Sequence, residues 1–320
     1  MNIVQRAIGF PCHDAWLQGV LTLPASHATT LAGIDGIDHT VKAGSTRGVL
    51  VVVGGPQYRV GSHRQFRLLA DRLAAAGIPV LRFDYRGMGD SEGAVRDFGD
   101  VDDDLRAAID QFFREVPSLA EVVIWGLCDG ASAALFYAHR DARVRGLVLL
   151  NPWVRTEGGE ARAFLKHYYW SRLRSPALWR KILLGGFDFR GAASSLVGKL
   201  AAATRGTASD AAVGAIGAAA PAFASASASA SASATKMVPL PARMQDGLER
   251  FRGKVLVILS GNDLTAREFC DLTAGSAAWR TLLRAPRVEQ RTLGPANHTF
   301  SRQDWRDQVS GWTADWIASW

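Results

Sequence analysis

The sequence predicts an α/β architecture: a doubly wound, mostly parallel sheet with a small helical cap insertion. Three observations lead there. Short continuous apolar runs alternate with stretches whose apolar residues recur at helical spacing, the pattern of βαβ units with right-handed crossovers. That rhythm stops after residue 150 and resumes at residue 254, so a segment is inserted. One apolar run passes through a glycine-flanked turn straight into a helical pattern, Trp125-Gly126-Leu127-Cys128-Asp129-Gly130-Ala131.

The elements follow in order. Residues 1–24 read as two edge strands, with rough period-two alternation over 15–23, and 25–46 as a polar loop rich in Gly, Thr and Asp. The run 48–53 is short and apolar, as a strand covered on both faces requires. Phe66, Leu69, Ala70 and Leu73 give residues 63–76 helical spacing, and Gly77 ends it. Residues 79–83 read as a strand and 101–113 as a helix, whose acidic first turn (Asp102, Asp103, Asp104) suits the positive end of its dipole. Strand 122–125, helix 131–138 and strand 144–150 complete the first half. After the insertion, 254–260 and 288–293 read as strands, 266–277 as a helix and 303–320 as an amphipathic helix. The predicted core is therefore 1–150 with 241–320.

Within the insertion, residues 151–190 mix aromatic and basic side chains and read as a cap of two or three helices. Tyr168, Tyr169 and Trp170 stand among Arg162, Lys166 and Arg172. Aromatic faces and cations together suit an acyl group with negative charge or a long polar chain; equally, the cations could face solvent while the aromatics only pack the cap onto the core. Residues 191–240 are rich in Ala, Ser and Gly and include a strict Ser-Ala repeat over 225–234. Such a composition buries too little apolar area to offset its ordering entropy, which predicts a flexible linker.

The bulk numbers narrow the class. The chain has 320 residues, 48% of them hydrophobic and 21% charged, which suits a globular protein with a substantial core. Its net charge is +7, but the cations are scattered and no nucleic-acid motif occurs, so the excess reads as an Arg-rich solvated surface. Three cysteines, Cys12, Cys128 and Cys270, with none of them close in sequence, argue against a disulfide framework and against zinc. No leader pattern and no convincing membrane span are visible, so a cytoplasmic protein with usable thiols is expected. No metal and no other cofactor is expected. Gly87-Met88-Gly89 is not a dinucleotide fingerprint, because Glu92 stands where the third glycine belongs.

The chemistry concentrates at Cys128. The order strand, G-x-nucleophile-x-G, helix is a nucleophile elbow, here with a cysteine. The turn is so sharp that side chains two residues away on either side would collide, which Gly126 and Gly130 avoid. The sulfur then sits at a helix N-terminus, where the dipole favours thiolate. An orienting acid belongs after a later strand, and Asp263 follows the run 255–259 through Ser260-Gly261-Asn262. A helix-capping aspartate is the plainer reading there. Glu268 and Asp271 are the alternatives, inside the expected helix. The base belongs after the last strand, where His298 is the only histidine beyond His167. The order nucleophile, acid, histidine suits acyl chemistry, with His298 taking the thiol proton and Asp263 fixing its tautomer. Two backbone N–H groups must hold the oxyanion. One is expected from Asp129 and the other from Gln57, or from Gly55 if the loop is shifted, since Pro56 has no N–H. Asp84 and Arg86, in Asp84-Tyr85-Arg86-Gly87-Met88-Gly89-Asp90-Ser91, are expected to be scaffold.

With the elbow, the acid, the histidine and the D-x-R-G-x-G-x-S loop placed, the chain resembles the α/β-hydrolase superfamily over nearly its whole length. Three segments are similar to the exosortase A system-associated hydrolase 1 family: residues 54–66 (GGPQYRVGSHRQF), 126–130 (GLCDG) and 151–156 (NPWVRT). That resemblance implies a bacterial protein encoded with exopolysaccharide and protein-sorting genes. It implies no substrate beyond a small-molecule or acyl- or glycan-derived one, and it leaves a homo-oligomer open. The Ala/Ser tract departs from the family. The expected activity is hydrolysis of an ester, thioester or related acyl bond through a thioacyl-enzyme. Acyl transfer at the same site, a dienelactone-hydrolase-like activity and a non-catalytic binding role are the rivals.

Overall fold

A computed structural model of the chain describes residues 3–25, 45–55, 57–154 and 238–320. The chain divides into two units. Met1–Arg155 with Leu240–Trp320 is the unit treated below, while Thr156–Pro239 falls almost wholly outside the described residues. The expected cap (from residue 155 on) and the expected linker (to residue 237) lie outside them too.

Among the described residues, eight strands form one sheet: β1 (Ile3–Cys12), β2 (Ala15–Pro24), β3 (Arg47–Val52), β4 (Val80–Phe83), β5 (Glu121–Leu127), β6 (Val144–Leu150), β7 (Lys254–Ser260) and β8 (Val288–Leu293). Their spatial order is β1-β2-β4-β3-β5-β6-β7-β8. From β4 to β8 every neighbour pair is parallel, and β1 and β2 join antiparallel. This is an α/β-hydrolase fold. The helices are α1 (Gln65–Ala75), α2 (Asp102–Glu115), α3 (Asp129–Tyr137), α4 (Leu240–Arg250), α5 (Leu264–Gly275), α6 (Ala277–Leu283) and α7 (Gln303–Ala318).

The continuous apolar runs are explained by two cores, one on each face of the sheet. Because strand side chains alternate, Val49 and Val51 join Val123, Trp125, Val148 and Leu256 beneath α1 and α7. Leu50 and Val52 join Ile124, Leu147, Leu149 and Val257 on the other face, against α2, α3, α4 and α6. The C-terminal helix is tied down through its orphan carbonyls. Arg47, at the start of β3, donates to the Ile317 and Trp320 carbonyls at 2.8 and 2.6 Å.

Three sequence expectations change. Residues 1–24 give two strands, but only β1 is an edge. β2 lies between β1 and β4, with Leu21 and Leu23 buried. Residues 266–277 are not one helix: α5 ends at Gly275, and the Ser276 hydroxyl caps α6 by accepting from Trp279 N–H. Helix α4 starts at the expected core boundary, where no element had been predicted. Its Met244 and Leu248 are fully buried.

Candidate active site

The elbow between β5 and α3 has a mechanical cause. Cys128 adopts φ 63°, ψ −125°, a conformation that a non-glycine residue holds only where its surroundings impose it. The sheet and helix do so. The Cys128 N–H donates to the Leu150 carbonyl of β6 at 2.9 Å, and the Cys128 carbonyl accepts from Ala131, Ser132 and Trp153 N–H at 3.1–3.3 Å. The flanking glycines have no room for a side chain. A Cβ on Gly126 would lie 2.5 Å from the Gly130 carbonyl oxygen, and one on Gly130 would lie 2.6 Å from that of Val52. Cys128 is half-buried at the N-terminus of α3, at the carboxyl ends of the parallel strands.

Asp263 and His298 are brought together. Asp263 follows β7 and is the N-cap of α5, with its carboxylate accepting from Ala266 N–H at 3.0 Å and from Thr265 N–H at 3.4 Å. The same carboxylate meets His298 Nδ1 at 2.9 Å. The capping and the histidine contact therefore coexist. A carboxylate only accepts, so Nδ1 carries the proton and Nε2 is the basic ring nitrogen of neutral His298. The two loops are also stitched by backbone bonds: Gly261 N–H to Leu293 C=O at 3.0 Å, and Asn262 N–H to Ala296 C=O at 2.9 Å. Glu268 and Asp271 lie within α5, one and two turns beyond the Asp263 cap.

The loop after β3 is held by the residues expected to be scaffold. Asp84 is fully buried. It accepts from the Arg59 backbone N–H at 2.6 Å and pairs with the Arg59 guanidinium, while Arg82 donates to the Arg59 carbonyl at 2.8 Å. Burial pushes the Asp84 carboxyl above its ordinary range, and the Arg59 contacts pull against that. Arg86 makes a buried, forked ion pair with Asp104 of α2, at 2.7 Å from Nη2, and its backbone N–H donates to the same carboxylate at 2.8 Å. Sequence reasoning missed Arg59 and Arg82, whose partners are far apart in sequence. It read Asp104 only as a dipole complement.

The oxyanion candidates differ in their partners. The Asp129 carboxylate accepts from Gly130 N–H at 3.0 Å. Burial pushes its carboxyl up, and neighbouring backbone amides oppose the shift. It also fills the space above Gly54, where a Cβ would lie 2.3 Å from Asp129 Oδ1. The Gln57 side chain is turned to its own loop and accepts from Ser62 N–H at 3.0 Å. Among the described residues no group of three or more metal-ligating side chains occurs.

The fold, with a strained, glycine-flanked strand-to-helix turn and a carboxylate-bound histidine at the carboxyl ends of the strands, defines the class: an α/β-hydrolase. The chain belongs to the family described as serine aminopeptidase, S33, whose model matches residues 44–268. At its elbow this chain carries a cysteine. Among characterised proteins it is similar to the quorum-quenching protein AidA of Acinetobacter baumannii, 36% identical over 101 residues. That match covers 29% of this chain and 33% of the relative, so the chain matches about a third of that protein's length. Among solved structures it is similar in fold to the Pyrococcus furiosus esterase Pf2001, with TM-score 0.59 at 15% identity, covering 99% of this chain and 93% of that one. The dienelactone hydrolase of Anabaena variabilis is also similar, with TM-score 0.54 at 14% identity and 99% and 98% coverage.

Proposed function

We propose that this hydrolase uses Cys128 as nucleophile, His298 as base and Asp263 as orienting acid to cleave an ester, thioester or related acyl bond. The observation that carries the reading is the strained backbone of Cys128, held between two glycines at a helix N-terminus. The dipole there favours thiolate. In the first half-reaction His298 Nε2 takes the thiol proton and the sulfur attacks the acyl carbon. The carbonyl oxygen becomes an oxyanion, held by the Asp129 N–H and by the loop after β3. Gln57 is the favoured donor of that loop, with Gly55 the alternative if the loop is shifted. The intermediate expels an alcohol or thiol, which receives its proton from His298, and a thioacyl-enzyme remains. Water then attacks that thioester as His298 takes its proton, which releases the acid and restores the thiol. The segments at 54–66, 126–130 and 151–156 support a bacterial protein associated with exopolysaccharide and exosortase systems.

The test is to trap the acyl-enzyme. The protein is mixed with p-nitrophenyl butyrate, quenched in acid within the first turnover and digested. A butyryl group on the peptide containing Cys128, labile to neutral hydroxylamine and lost in Cys128→Ala together with turnover, is the expected result. Full turnover by Cys128→Ala would reject the cysteine mechanism.

A further inference from the structure

The residue just beyond β6 joins the two halves of the site. Asn151 is fully buried and has φ 42°, in the left-handed region that asparagine tolerates better than most residues. Its backbone N–H extends the ladder to the Ile258 carbonyl of β7 at 3.1 Å. Its side chain makes three bonds. Oδ1 accepts from Ser260 N–H at 2.8 Å, while Nδ2 donates to Ser260 Oγ at 2.9 Å and to the backbone carbonyl of His298 at 3.1 Å. The amide orientation is fixed by its partners, since a backbone N–H can only donate and a carbonyl can only accept. Ser260 continues the chain, its hydroxyl donating to the Asn297 carbonyl at 2.9 Å. Of the two carbonyls flanking the histidine, that of Asn297 is thereby tied to the end of β7, three residues before Asp263, and that of His298 to Asn151 just beyond β6. Two residues after Asn151, Trp153 N–H donates to the Cys128 carbonyl at 3.2 Å, and the Trp153 carbonyl accepts from Ser132 Oγ of α3 at 2.7 Å.

We propose that Asn151 is a positioning residue for the reaction: through its amide and Ser260 it sets where the His298 ring stands between Asp263 and the Cys128 sulfur. The proposal rests on the Cys128, His298, Asp263 reading. The physical basis is that the two Asn151–Ser260 bonds are buried and those to the His298 and Asn297 carbonyls part-buried, and all are directional, so water replaces a lost one poorly. A sheet strand fixes one end of the brace and the elbow the other, and the brace acts on the histidine loop beside the Asn262 N–H to Ala296 carbonyl bond and the His298–Asp263 contact. A ring displaced by a fraction of an ångström keeps its tautomer but loses alignment with the thiol, which costs turnover rather than binding.

The discriminating variant is Asn151→Asp. It keeps the shape, the tolerance of positive φ and the acceptor for Ser260 N–H, but sets an oxygen against the His298 carbonyl. Ser260→Ala is the second variant, since it removes only the hydroxyl relay. Hydrolysis of p-nitrophenyl butyrate is followed from pH 5 to 9, with thermal unfolding of each protein alongside. For Asn151→Asp the expected result is kcat down by about 10²-fold with KM within about twofold, and an acid limb of kcat/KM displaced by about half a pH unit or more. Ser260→Ala is expected to show a smaller change in the same direction. If both variants fold and keep the wild-type pH profile, with kcat falling no further than the folded fraction, the brace is structural and the proposal is overturned. His298→Ala separates this from the parent reading: unchanged turnover in that variant would reject the triad itself, whatever Asn151 does.

Discussion

Both oxygens of the Asp263 carboxylate are engaged, by the first amides of α5 and by His298. Asparagine caps a helix about as well as aspartate, so Asp263→Asn should leave the melting temperature almost unchanged. It removes the charge that stabilises the imidazolium formed when His298 takes a proton, so kcat should fall by about 10³- to 10⁴-fold. Near-normal turnover would move the orienting role to another carboxylate, with Glu268 tested next. The cysteines offer a second test at this scale. Burial, with Asp104 adding to it, pushes the Cys12 thiol up; burial and the Asp271 charge push Cys270 up as well. A raised thiol pKa means less thiolate at neutral pH and slower alkylation. Iodoacetamide at pH 7 should therefore label Cys128 first, read by peptide mass spectrometry, and labelling of Cys128 last would contradict the elbow chemistry.

At the scale of elements, the site depends on how loops are pinned to strands and helices. The Arg86–Asp104 pair ties the loop after β4 to α2, with side chains only 7% and 0% exposed. Removing one member of such a pair strands the other charge in the interior. Asp104→Ala should therefore cost about 3–5 kcal/mol in urea unfolding. A cost below about 1 kcal/mol would mean that the guanidinium finds water or another partner. The elbow glycines act through sterics instead, so they were visible in the sequence: spacing alone demanded them. The Arg86 partner was not visible, because sequence reading gave Asp104 a job at its own helix end, and only the packing of α2 on the sheet turns it inward.

At the scale of the molecule, among the described residues the strands of the sheet lie within residues 3–150 and 254–293, and the two cores are built from them and the helices beside them. Residues 211–234 supply almost no strongly apolar side chains. Deleting them should shift the melting temperature by only about 2 °C, because loop length enters closure free energy logarithmically, at about 0.6 kcal/mol per doubling. A drop several times larger would show that the tract packs. The positive net charge also takes a plainer form. Among the described residues, Arg47, Arg86, Arg140 and Arg143 each pair with a carboxylate.

By itself the sequence determined the fold class, the elbow, and the order in which an acid and a histidine follow it. Each rests on local rules: strand and helix periods, the steric need for glycine at a sharp turn, and the short reach from a strand end to its loop. Those rules do not reach across the sheet. That β2 is interior, that Leu240–Arg250 is a core helix, and that Asp84 clamps Arg59 depend on which segments meet after folding. The brace from Asn151 through Ser260 to the histidine loop is the clearest case. Its members stand 109 and 147 residues apart in sequence, and their amide and hydroxyl become partners only because β6 and β7 are neighbours in the sheet.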